Sequence, residues 1–314
     1  MEPVVKGDTK TPTVKGGRWT EKKKTALASY TFISPFFILF TIFGLFPMVF
    51  SFYLSFFRWD GLTPMEYVGW RNFEFIFSDP LFFSSIKNTF LIGIMGTLPQ
   101  IFIGILLAFA LNSALVRFRN TFRTLIFLPY ITSIVAVAII FGVVFNNQDF
   151  GFGNYILSLF NIDSVRWNTE YWPVKIAIST MVFWRWVGYN TIIFLAGMQS
   201  IPRELYEAAK IDGASVSQQI RLITVPMLKP FILFVVFTAT IGSFQLFTEP
   251  LIFLGRGLRE EGITMVAYLW RDAFVLNSFG TASAAAIVLF LIIIFITALN
   301  LLITNRIGRT KKLS

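Results

Sequence analysis

The chain of 314 residues is 55% hydrophobic, 18% aromatic and only 14% charged, with no cysteine, no histidine and a formal net charge of +10. Its mean hydropathy of +0.68 exceeds what a soluble domain of this length needs to fill one core and points to a multi-span membrane protein. Without cysteine there is no disulfide or thiolate metal site, and without histidine the usual proton shuttle is missing.

Residues 1–25 are rich in Lys, Thr, Gly and Pro and are expected to form a disordered basic tail. Six apolar runs then follow, at 30–57, 86–111, 124–145, 172–198, 231–253 and 281–303, each long enough for the roughly 20 residues of a spanning helix. The expected fold is all-α, with six transmembrane helices in one domain over 26–314. The first run is far longer than a signal-peptide core and lacks a small-residue cleavage site, so it is expected to stay as an anchor. Pro35, Gly44 and Pro47 interrupt the first run, Gly93, Gly96, Pro99 and Gly104 the second, and Pro129 the third. Such breaks are either ordinary kinks with close helix packing or the borders of a substrate path.

Two connections carry further signals. Residues 58–85 hold the turn formers Asp60-Gly61 and Pro64, then an aromatic stretch over 72–83 too interrupted to span and expected at the membrane interface. The connection 146–172 opens with Asn, Asp and Gly and closes on Trp167, Tyr171 and Trp172, residue types that favour the membrane–water boundary.

Six spans put both termini on one side. Of the 27 Lys and Arg, 18 fall in the N-terminal tail, in 117–123, in 199–229 and at the C-terminus, whereas the longer opposite loops hold 8. The bias places both termini and the polar island 199–229 in the cytoplasm. It also accounts for the positive charge, which flanks apolar runs where it orients them and meets anionic lipid. No aromatic-basic platform accompanies it, so nucleic acid is not an expected partner.

With Lys87 and Lys175, at the ends of their runs, counted to the opposite loops, two charges lie where apolar residues are expected: Arg185, between Trp184 and Trp186, and Glu249. A mid-membrane charge costs on the order of 2.5–3.5 kcal/mol and normally faces a cavity or a partner. Arg185 either pairs with an acid on a neighbouring subunit or meets substrate, and Glu249 either does the like or reaches the interface.

The island 199–229 reads as a helix–glycine–helix elbow. Pro202 opens the first short helix, on which Leu205, Ala208 and Ala209 share a face while Arg203, Glu204 and Glu207 lie off it. Gly213 is expected to end it, and Ser215-Val216-Ser217-Gln218 has the spacing of a capping box. The second helix carries Ile220 and Ile223 and is expected to stop near Pro226.

At these residues the chain resembles the membrane subunits of binding-protein-dependent ATP-binding-cassette (ABC) importers, in the sugar-permease branch with the maltose, lactose and glycerol-phosphate systems. The signature of that family is matched by Glu207, Ala208, Ala209, Gly213, Ile223 and Pro226, with Asp212 inside it. Further likeness lies in Trp59-Asp60-Gly61-Leu62, Phe122-Arg123-Thr124, Leu128-Pro129, the run Phe194 to Pro202, and Ala282-Ser283-Ala284. The resemblance implies a type I importer permease whose elbow docks on a separate ATPase subunit, with Glu207 pairing an arginine there. It further implies substrate contacts at Arg185 and Tyr189 before the elbow and in 239–246 after it, where Ser243 and Gln245 are the polar candidates. Tyr189 with Asn190, Ser243 and Gln245 suits a sugar's hydroxyls and apolar face, and Arg185 leaves an acidic saccharide or phosphorylated polyol open. Expected partners are a second, different permease chain, two ATPase subunits that bind ATP and magnesium, an external solute-binding protein and the lipid of a bacterial or archaeal cell membrane.

No Gly-x-x-x-x-Gly-Lys-Ser/Thr loop occurs, so the chain is not itself the ATPase, and no Ser-His-Asp set, metal cluster or paired-carboxylate site suggests an enzyme. Of the competing readings, an ion-gradient-driven transporter generally needs intramembrane acids, broken helices at a central site or an inverted repeat, for which one peripheral glutamate is thin support, and a channel would not need the elbow.

Overall fold

In the computed structural model the structure describes residues 18–113, 117–255 and 258–309. It is helical apart from one two-residue hairpin and divides into two units, up to Tyr53 and from Leu54 on. Of the tail 1–25, residues 1–17 lie outside the described residues, and α1 (Arg18–Phe40) begins at Arg18.

The first unit is α1, a π-helical turn at Thr41–Leu45 and most of α2 (Phe46–Leu54). The Phe46 N–H bonds to the carbonyl of Thr41, so one extra residue is taken up just ahead of Pro47, whose missing N–H would otherwise break the ladder. Residues Lys22–Leu54 form one long apolar helix with none of its apolar window buried.

The second unit opens with the hairpin Phe57–Arg58 and Glu66–Tyr67, closed by Asp60. The Asp60 carboxylate accepts from the amides of Thr63 at 2.7 Å and Leu62 at 2.9 Å, and these bonds, Thr63 first, lower its pKa to about 2. Helices α3 (Arg71–Ser78) and α4 (Pro80–Asn112) follow, then α5 (Arg119–Ile131), α6 (Ile134–Val144), α7 (Phe152–Leu159) and α8 (Tyr171–Gln199). The rest is α9 (Arg203–Ile211), α10 (Val216–Gln219), α11 (Val225–Phe244), α12 (Thr248–Leu254), α13 (Met265–Trp270) and α14 (Phe279–Arg309).

The expectation of six spans is corrected. Among the described residues four helices are long and apolar enough to cross a membrane, Lys22–Leu54, Pro80–Asn112, Val216–Phe244 and Phe279–Leu302. A fifth exists only if α5 and α6 count as one span, and they bend by 93°. The run 124–145 is broken where Thr132 and Ser133 take extended backbone, just after Pro129. The run 172–198 is a long helix, α8, but Lys175, Arg185, Asn190 and several hydroxyl residues make it too polar to face lipid. The run 231–253 stops at Phe244, and its last part becomes the separate α12. With four or five such helices, the count no longer fixes whether the two termini lie on one side.

Helix α8 can carry these groups because protein covers most of it, with Trp172, Ile176 and Trp184 left exposed. It packs along α4 and against α5, α11 and α12. One apolar cluster joins Ile92 of α4, Ala138 of α6, Ile178 and Met181 of α8 and Phe253 of α12; another joins Ala108 of α4, Phe194 and Leu195 of α8 and Leu228 and Val235 of α11. At the Tyr171 end the loop 258–263 is strapped down. Asn88 Nδ2 donates to the carbonyls of Glu260 and Ile263 at 2.7 and 3.1 Å, and Lys175 Nζ to those of Glu261 and Tyr171 at 2.6 and 3.1 Å. These bonds satisfy a buried ammonium that would otherwise be costly.

The tightest approach is between α5 and α8, where a Cβ placed on Gly188 would stand 1.7 Å from the carbonyl oxygen of Ile126. Because that neighbour is backbone, a side chain forces the helices apart. We expect Gly188→Val to destabilise the protein by about 1–3 kcal/mol or more, read as a lowered thermal midpoint of the purified protein in detergent; an unchanged midpoint would contradict this packing.

Candidate functional site

Two features stand at different levels of α8. The first is the elbow at its C-terminal end. Ser200 and Pro202 turn the chain from α8 into α9, which ends at Gly213, φ +75°. Nothing lies within 4 Å of a Cβ at that glycine, so the left-handed backbone, not crowding, requires it. The Ala214 N–H bonds to the Ala209 carbonyl at 2.8 Å, closing the helix end. The capping box then forms as the spacing predicts: Gln218 N–H donates to Ser215 Oγ at 3.3 Å and Ser215 N–H to Gln218 Oε1 at 2.7 Å.

The second arm does not stop at Pro226. It runs through a π-helical turn, Ile220–Thr224, into α11, and Val216 to Phe244 forms one helix. Val225 N–H bonds to the Ile220 carbonyl, and this shifted register admits Pro226 next to it without a lost bond to the preceding turn. The two arms are pinned by Tyr206 and Thr224, whose hydroxyl oxygens lie 2.8 Å apart. Glu207, Ala208, Asp212 and Gly213 are exposed, Ala209 and Ile223 half-buried, and Pro226 exposed. Ile211, at 88% exposed, and Val216, at 71%, extend the surface and were not singled out from the pattern. The elbow thus shows a carboxylate, Ala208 and apolar residues without covering them, with Ala209 partly covered.

The second feature is a cleft of about 430 Å³ halfway along α8, lined by Gln100, Arg185, Trp186, Thr238, Ser243, Gln245, Thr248 and Glu249 among others. Arg185 Nη1 lies 3.9 Å from Glu249 Oε1, so the partner of Arg185 stands in this same chain, and Glu249 does not reach the interface. The side chains are 19% and 6% exposed, and the guanidinium also lies 6.0 Å from the Trp186 ring. Arg185 Nε and Gln100 Oε1 are buried without a hydrogen-bond partner among the described residues. Each is enclosed by protein without a compensating bond, the kind of group that needs an explanation.

The cleft exists because α11 ends at Phe244 and leaves residues 245–247 unwound before α12 begins, which brings Gln245 and Glu249 to face α8. Ser243 lies on the wall, bonded to Thr97 Oγ1 at 2.9 Å and donating to the Ala239 carbonyl at 2.8 Å. Of the residues expected to meet substrate, Arg185, Ser243 and Gln245 are brought together. Tyr189 stands beside the cleft in an aromatic group, stacked on Tyr130 at 4.6 Å and edge-on to Trp186 at 5.6 Å. Asn190 does not line it: it is buried against α4 at Gly104, with its Nδ2 unpartnered. Gln100, Trp186 and Glu249 also line the cleft and were not among the residues expected to meet substrate, although the charge of Glu249 in an apolar run was a readable signal.

No group of three or more His, Cys, Asp or Glu among the described residues is placed to hold a metal. Residues 100–309 match the model of a family described as binding-protein-dependent transport system inner membrane component. The chain is 37% identical to the arabinooligosaccharides transport system permease protein AraP of Halalkalibacterium halodurans, over 88% of this chain and 87% of that protein. In fold it is similar to a chain of a bacterial ABC transporter involved in the import of the acidic polysaccharide alginate, with a TM-score of 0.79 and 26% identity, covering 93% of this chain and 99% of the other. A structure of the bacterial alginate transporter in complex with a periplasmic protein holding an alginate pentasaccharide gives 0.78 and 26%, over 94% and 99%.

Removing one member of a buried pair leaves the other charge uncompensated at a cost of about 3–5 kcal/mol. We therefore expect Glu249→Gln to lower thermal stability markedly and Arg185→Leu combined with Glu249→Gln to recover most of the loss; a double variant as unstable as the single one would mean that the two side chains do not interact.

Proposed function

The chain belongs to the binding-protein-dependent transport system inner membrane components, and on that premise we propose that its elbow and its cleft are the power input and the solute passage of a sugar importer. It is the multi-pass transmembrane permease half of an ABC importer for a sugar or oligosaccharide, working with a solute-binding protein and a separate ATPase, and is not itself an enzyme.

The observation that carries the proposal is that one helix serves both features. From Arg185 to Gln199 is about 21 Å of rigid α-helix at 1.5 Å per residue, and the elbow follows it directly. A displacement of the elbow is delivered to the cleft wall with little loss, because the enclosing helices leave α8 no soft segment between them.

At the elbow, Glu207 is the charge that meets a cation on the ATPase, Ala208 and Ala209 allow close approach, and Gly213 fixes the bend. Ile223 and Pro226 sit on the second arm, and Asp212 closes the first. An exposed ion pair is worth little, whereas one enclosed at a subunit contact transmits force. The Lys and Arg bias of 117–123 and 199–229, and of the terminal segments, supports a cytoplasmic elbow and cytoplasmic termini in a bacterial or archaeal cell membrane. A second permease chain, different from this one, supplies the opposite wall of the passage, and two ATPase subunits bind the nucleotide and magnesium.

In the cleft, Arg185 donates, Glu249 and Ser243 accept, and Gln100 and Gln245 do either, while Trp186 offers a ring with Tyr189 beside it. This complement suits hydroxyls on one edge of a sugar and its apolar face on the other. The charges of Arg185 and Glu249 offset each other, which favours a neutral saccharide over an acidic one. Asn190 supports the α4–α8 contact behind the site.

Two outcomes test the reading. Glu207→Lys is expected to leave the protein inserted while abolishing sugar uptake and its coupling to ATP hydrolysis in reconstituted vesicles; normal uptake would sink the docking role. A hydrogen bond to a charged group contributes about 1.5–3 kcal/mol. Arg185→Leu should accordingly reduce uptake of neutral oligosaccharides about tenfold or more, and unaltered transport of neutral and uronate-bearing sugars alike would remove the arginine from recognition.

A further inference from the structure

Helix α7 has its polarity reversed. Asn154 is buried, and its side chain is fully engaged: Nδ2 donates to the carbonyls of Asn146, Gln148 and Val165 at 3.2, 3.2 and 3.1 Å, and Oδ1 accepts from Val165 N–H at 3.0 Å and Trp167 Nε1 at 2.8 Å. One asparagine therefore ties α7 to the strands of chain on either side of it, and Gly153 seats the helix close to the Val144 carbonyl at the end of α6. The outer face carries Phe152, Tyr155, Ile156 and Leu159, all exposed, and Phe150, Phe160 and Ile162 continue it beyond the helix ends. The eight residues of α7 contain no charge.

A helix that hides its asparagine and shows its aromatics is built for a medium that is not water. The surface next to it in the chain says which medium. Val135, Ile139, Ile140 and Val143 of α6 are exposed and apolar in a multi-pass membrane protein, and the α7 face follows them after a turn of seven residues. Trp172, exposed at the start of α8, stands at the same end of that helix, the end opposite the elbow. Tyr and Phe with no Lys or Arg suit the boundary between headgroups and acyl chains and need no anionic lipid.

We propose that α7 is an interfacial foot that lies in the membrane leaflet remote from the elbow, with Phe152, Tyr155, Ile156 and Leu159 in lipid. It holds the connection between α6 and α8, and with it the Tyr171 end of α8, at a fixed depth. This rests on the membrane reading alone and survives if the cleft or the elbow has another role.

The absence of native cysteine makes the test direct. Tyr155→Cys, Leu159→Cys and, as a solvent-facing control, Asp163→Cys are each spin-labelled in the chain purified with its partner subunits and placed in phosphatidylcholine nanodiscs. The ratio of oxygen to nickel-chelate collision is expected to be several-fold higher at 155 and 159 than at 163. Ratios at 155 and 159 equal to that at 163 would put the face in water, and protection from both reagents would put a protein there; either overturns the proposal. A second measurement needs no substitution: a phosphatidylcholine bearing a diazirine near its headgroup is expected to crosslink to the peptide 150–162 of the native complex, and failure to do so while α14 is labelled counts against the foot.

Discussion

A helix with an arginine, a lysine and an asparagine along its length cannot lie against hydrocarbon, and the structure is arranged around that constraint. Enclosing α8 requires close neighbours on several sides, supplied by α4, α5, α11 and α12. The enclosure is tight enough that Gly188 accepts a backbone carbonyl where any side chain would stand. The same tightness makes α8 a stiff connection between the cleft and an exposed elbow.

Arg185 and Glu249 show how such a charge is tolerated. Neither is strongly hydrogen-bonded to the other at 3.9 Å, and Arg185 Nε has no partner among the described residues. The pair thus offsets charge at this depth while Arg185 Nε stays enclosed and unbonded. A fully satisfied pair would be better placed as structure and worse placed as a site. The break at 245–247 contributes in the same way, since irregular backbone at membrane depth is tolerated where it lines a cavity.

Much of the elbow was legible, because its determinants are local. Gly213 needs only its own backbone angle, and the capping box needs only residues three apart. The count of spans was not legible. Apolar length alone read 124–145 and 231–253 as continuous helices, but a proline followed by extended residues bends the first, and the second stops at Phe244 where α12 packs separately. Pro226 misled in the opposite direction, since a proline that ordinarily ends a helix is absorbed by the register shift of a π-helical turn.

By itself the sequence determined the membrane class, the elbow and its bend, and the family to which the chain belongs, since these rest on composition and on residues near one another in the chain. Only the tertiary structure decided that Arg185 meets Glu249, 64 residues away, that Asn190 faces α4 instead of the cleft, and that α8 is enclosed by protein. Those depend on which helix faces come together, and side-chain periodicity says which face is apolar without saying what will cover it.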